Sequence, residues 1–64
     1  MIKYPFEVYK TVSNGHICWI AKSTRLKGCI GQGSFLSDSL SDLAGSEEAW
    51  LKAAVAMGVS VPLS

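Results

Sequence analysis

Three side chains of this 64-residue sequence have the chemistry of soft-metal ligands or nucleophiles: His16, Cys18 and Cys29. A structural zinc site takes four such ligands, usually in closely spaced pairs, so three unpaired candidates make a poor zinc centre. A cysteine nucleophile needs a lowered pKa and an oriented base, and Cys29, followed by Ile30 and Gly31, sits at no convincing helix N-terminus. The expectation is a turn histidine and two small thiols packed as hydrophobes, with no metal and no cofactor. The carboxylates point the same way. Glu7 alone falls on a strand pattern, while Asp38, Asp42, Glu47 and Glu48 spread over helical positions, where two-metal phosphodiester chemistry would need them clustered. The chain is therefore not expected to be an enzyme.

Binding chemistry offers more. Glu47 and Glu48 stand beside Trp50 on a helical stretch, and Arg25 and Lys27 flank Leu26 in a turn with Lys22 close by. An acidic-aromatic spot is either a helix start with its tryptophan in the core or a partner contact, since tryptophan is enriched at interface hot spots. Arg25 and Lys27 are either a solvated turn or part of the same surface. A formal net charge of +1, with basic residues thinly spread, excludes a phosphate-backbone binder.

These residues have to be held by a short series of elements. From Lys3 to Thr11, Tyr4, Phe6 and Val8 alternate with Pro5, Glu7 and Tyr9, the period of a half-buried strand, with Pro5 suited to its start or an open edge. Asn14-Gly15 then marks a tight hairpin. His16–Ser23 reads as the return strand, with Ile17, Trp19 and Ala21 on one face and Cys18, Ile20 and Lys22 on the other. Apolar residues on both faces predict a central strand covered on both sides. After a turn at Thr24–Lys27, the glycine-rich Cys29–Gly33 fits a short third strand.

Leu36, Leu40, Leu43, Trp50, Ala54 and Met57 then recur at helical spacing, and Glu47 interrupts the series at its own step. Ser34 or Ser37 can cap this helix, Asp38 suits its first turn, and Gly58 is a natural stop. Gly45 followed by Ser46-Glu47-Glu48 leaves two options, one helix that can kink at Gly45 or two shorter ones. A continuous helix outruns the strands, so it bends or overhangs the sheet, and the apolar character of Ala49–Met57 on nearly every side favours overhang with a second partner. Val59-Ser60-Val61 before Pro62 predicts a short fourth strand.

Sixty-four residues make a single domain, 1–64, with a core that supplies only about 3–5 kcal/mol. No secretory leader is read ahead of the first strand and no apolar run reaches the ~20 residues of a membrane span, so a cytoplasmic chain with free thiols is expected.

The tyrosine-proline start, the hairpin, Trp19-Ile20-Ala21, Leu26-Lys27-Gly28-Cys29, Gly33, the helix, Trp50-Leu51 and Val61-Pro62 together resemble the HicB antitoxin domain over almost the whole chain. The resemblance implies an α+β, partial ribonuclease H-like fold of order β-β-β-α-β: a three-stranded antiparallel sheet packed by one helix, with a short last strand beside the first. It implies a non-enzymatic module that binds a small HicA-like RNA-cleaving toxin and covers its active site. It departs from the family pattern at Thr24-Arg25-Leu26-Lys27, where the family often carries Pro-Asp-Leu-Pro. The DNA-binding segment of many relatives is also missing, so direct DNA binding is not expected. A self-associating structural domain, a homo-oligomer with no toxin partner, is the alternative.

Overall fold

The computed structural model describes residues 2–62. β1 (Phe6–Ser13), β2 (His16–Ser23) and β3 (Ile30–Gly33) form one antiparallel sheet in the order β1-β2-β3, and α1 (Leu36–Met57) packs on it. The fold class is α+β, as expected. Asn14 and Gly15, with φ of 53° and 77°, make the tight turn that the Asn-Gly pair specifies.

Pairing register sorts the side chains. Val8, Ala21 and Gly31 oppose one another across the three strands, as do Lys10, Trp19 and Gly33, and these rows face α1. Lys10 also sets its ammonium 6.0 Å from the Trp19 ring centre, a cation–π contact. Glu7, Lys22 and Ile30 form a row on the opposite face, followed by Tyr9, Ile20 and Gln32. β2 is central in the sheet, as its composition predicts, but no described element covers this second face.

α1 lies over β3 and β2 and not over β1. Its close approach to β3 follows from Gly31 and Gly33. A Cβ on Gly31 would stand 2.6 Å from the Ser39 carbonyl oxygen, and one on Gly33 would stand 2.9 Å from the Ser39 nitrogen. Tyr4, Ala21, Leu26, Cys29 and Leu43 make the buried core, and Ile2, Val8, Leu40, Trp50 and Leu51 pack around it.

The helix is single and runs through Gly45 without interruption. Its start differs from the expected serine cap: Phe35 occupies the N-cap with extended backbone and no side-chain bond. The Ser39 amide donates to the Phe35 carbonyl at 3.1 Å, and the Ser39 hydroxyl donates back to the Leu36 carbonyl at 2.7 Å. Asp38 lies in the first turn as expected. At the other end, Gly58 in the left-handed conformation (φ 71°) donates to the Val55 carbonyl and Val59 to that of Ala54, a Schellman closure.

That closure explains why no fourth strand forms over Val59–Val61 among the described residues. The Val59 amide, needed for a ladder, is used by the helix end at 2.8 Å. The chain beyond is held instead by the Tyr4 hydroxyl, which donates to the Pro62 carbonyl at 2.7 Å.

Candidate functional site

The turn between β2 and β3 is built around Ser23. Its buried hydroxyl oxygen accepts from the Leu26 amide at 3.0 Å and the Arg25 amide at 3.4 Å, and the Cys29 amide closes onto the Leu26 carbonyl at 3.1 Å. This turn drives Leu26 fully into the core and leaves Arg25 and Lys27 exposed on either side of it. Trp50 reaches the same turn, its indole N–H donating to the Lys27 carbonyl at 2.9 Å. Arg25, Lys27 and Trp50, far apart in sequence, therefore share one end of the molecule. Beside them, Glu7, Lys22, Thr24 and Gly28 join the two basic residues around an open depression.

The two acids separate. Glu48 is on the surface and pairs with Lys52 one turn on, at 3.4 Å, with both side chains largely exposed. An exposed pair of this kind contributes little to stability. Glu47 is 2 % exposed, and its two carboxylate oxygens accept the Lys3 amide at 2.7 Å and the Tyr4 amide at 3.2 Å. Its place in a partner-binding set is therefore revised: the carboxylate faces inward and anchors the N-terminal segment to the helix. The sequence signal was its position, an acid at the one step of the apolar stripe that belongs to the core.

The cysteines are both free. Cys18 is half-buried on β2, and Cys29 is buried, its thiol pushed above the ordinary range first by burial and then by the nearby Glu47 charge. A raised thiol pKa means the folded state holds its proton where the unfolded chain has lost it. This contribution to stability is whole at neutral pH and is lost as pH rises past the ordinary thiol value toward the raised one. Cys18 is expected to alkylate rapidly with iodoacetamide at pH 8 and Cys29 only after urea is added, as intact-mass spectrometry would show. Equal rates in the native protein would contradict the burial of Cys29.

Further along α1, the surface becomes apolar on two sides. Trp50, Ala53, Ala54, Met57 and Val59 line a recess of about 190 Å³, and Leu51, Val55 and Ala56 form a patch around Lys52. Val55 is 74 % and Met57 76 % exposed, so the expected overhang of the helix end is present. Among the described residues, no three of the His, Cys, Asp and Glu side chains come together to hold a metal ion, and no helix is long and apolar enough to cross a membrane. No protein-family model, curated protein or solved structure matches the chain.

Proposed function

We propose that this domain is a protein-binding module of antitoxin type, which neutralises a small HicA-like RNA-cleaving toxin by covering its active site. The observation that carries the reading is the apolar end of α1. Val55 projects on one side of the helix end, beside Leu51 and Ala56, and Met57 on the other, where it shares a recess with the half-buried Trp50, whose indole reaches the turn carrying the exposed cations Arg25 and Lys27. Such a patch, apolar at its centre and charged at its rim, has the anatomy of a protein interface. The β-β-β-α order and the whole-chain resemblance add support, and we read the fold as a partial ribonuclease H-like one. A cytoplasmic setting accords with two free thiols.

Co-expression with a small HicA-like toxin, taken from an adjacent open reading frame where one lies beside this gene, tests the proposal. The expected results are rescue of growth from the toxin and a co-purified complex, both lost on Met57→Asp together with Val55→Asp. Absence of both complex and rescue with the unaltered chain overturns it.

A further inference from the structure

The two edges of the sheet are treated differently, and the ladder geometry shows how. In an antiparallel pair, residues that exchange both hydrogen bonds alternate with residues whose backbone groups point away. The Thr24 amide donates to the Pro5 carbonyl at 3.0 Å, which makes Pro5–Thr24 a bonded pair and sets the phase along β1. Glu7, Tyr9, Thr11 and Ser13 therefore turn their backbone groups toward β2. Phe6, Val8, Lys10 and Val12 turn theirs, eight groups in all, toward the outer edge. The Ser23 amide on the Cys29 carbonyl at 3.0 Å sets the phase of β3 in the same way, so that Ile30 and Gln32 face outward there.

On β3 two of the four outward groups are capped by helix side chains. Ser46 donates its hydroxyl to the Ile30 carbonyl at 2.9 Å, and Asp42 accepts the Gln32 amide at 3.0 Å. On β1, none of the eight outward groups meets another described residue. An eight-residue edge strand with apolar side chains at Phe6, Val8, Tyr9 and Val12 is a template for another strand. The surface area agrees. The chain exposes 4556 Å² at 6.8 kDa, whereas a folded monomer of that mass exposes about 4,000 Å². The surplus, about 550 Å² over the whole chain, helix end included, is smaller than the ~800 Å² per partner that a standard interface buries but leaves apolar area on β1 to cover, with Tyr9 46 % and Val12 65 % exposed.

We infer that β1 pairs antiparallel with β1 of a second copy of this chain, Tyr9 lying on the two-fold axis, to give a continuous six-stranded sheet. The register follows from three conditions. A two-fold perpendicular to the sheet keeps like faces together, so the axis must pass through a residue and not between two. With Tyr9 on it, Phe6 opposes Val12 and Val8 opposes Lys10 of the second copy, and all eight outward groups are satisfied; an axis at Val8 or Lys10 leaves one end of the strand unpaired. An axis at Lys10 also sets two ammonium groups face to face, which is unfavourable. Tyr9, 46 % exposed, then meets its own mate in a non-hydrogen-bonded pair.

Sedimentation and a cysteine scan test this inference, using the full chain with Cys18→Ser. Sedimentation equilibrium at tens of micromolar should give twice 6.8 kDa. Cysteines introduced one at a time at Val8, Tyr9, Lys10 and Thr11, with the buried Cys29 left in place, should cross-link most at Tyr9→Cys, where the paired Cα atoms are about 4.5 Å apart and within disulfide reach. Thr11→Cys, roughly 14 Å from its mate along the strand, should not cross-link. Tyr9→Lys and Val8→Pro should each weaken the dimer by at least about tenfold. Circular dichroism should show Tyr9→Lys still folded, which separates lost pairing from lost fold. A monomer by sedimentation overturns the inference, including the case in which the chain's own last residues cover β1, and a cross-linking maximum at another position overturns the register. Toxin neutralisation is not a readout here, so the two proposals fail separately.

Discussion

Glu47→Ala is expected to remove about 3 kcal/mol or more of stability, most of what a domain this small holds. The argument rests on what the carboxylate does. Its two oxygens accept the buried amide of Tyr4 and the part-buried amide of Lys3, with the side chain 2 % exposed. Hydrogen bonds to a charged group are worth roughly 1.5–3 kcal/mol each, and amides left buried without an acceptor carry a further penalty. The effect also spreads, because Tyr4 is tied at both ends. Its amide is on Glu47 and its hydroxyl is on the Pro62 carbonyl, so loss of the carboxylate frees the start of the chain and the segment after the helix together. Glu47→Gln, which keeps the volume but turns an amino group toward one of the two donors, should cost about half as much. Glu48→Ala, on the surface, should stay within about 0.5 kcal/mol. Urea unfolding followed by circular dichroism reads all three, and Glu47→Ala within 0.5 kcal/mol of the parent chain would refute the anchoring role.

Glu47 also marks where sequence reading ends. Strand alternation, the Asn14-Gly15 turn and the 3.6-residue stripe are local signals, and each gave its element because a local signal needs no knowledge of the rest of the fold. The partners of Glu47 lie 43 and 44 residues away, as backbone amides that carry no side-chain signature. The acid on the apolar stripe was visible; its acceptor role was not. The capping serines show a different limit. Ser34 and Ser37 both had the right chemistry, but the two-residue connection between β3, which ends at Gly33, and α1, which starts at Leu36, puts Phe35 at the N-cap, so tertiary connection overrode cap preference. The expected fourth strand does not form among the described residues for a related reason, since Val59 had two possible uses for one amide and the helix closure took it. Among the candidate binding residues, Arg25, Lys27 and Trp50 converge on one turn, which sequence spacing alone did not show.

Gly31→Ala should be the most damaging single methyl addition in the chain, and Gly45→Ala should have the opposite sign. The new Cβ at Gly31 would lie against the Leu43 amide nitrogen, 2.7 Å from the Leu43 Cα and 2.6 Å from the Ser39 carbonyl oxygen. All are backbone atoms of α1, so no rotamer change relieves the contact and the helix must lift from β3. Lifting it separates Leu43 and Ala21, both fully buried, and pulls Ser46 and Asp42 off the outer edge of β3. Overpacking that a side chain cannot absorb costs about 3 kcal/mol or more, enough to leave Gly31→Ala largely unfolded at 25 °C. Gly45 has nothing within 4 Å of its would-be Cβ and sits within the continuous helix. Alanine there should add about 0.5–1 kcal/mol through helix propensity alone and raise the thermal midpoint by a few degrees. The pair isolates close approach from backbone freedom, because both changes remove the same glycine entropy. If Gly31→Ala unfolded at the parent midpoint, the helix would not rest on β3 at the distance described. The edge of β3 would then stand as open as that of β1, and the reason for assigning pairing to β1 would disappear with it.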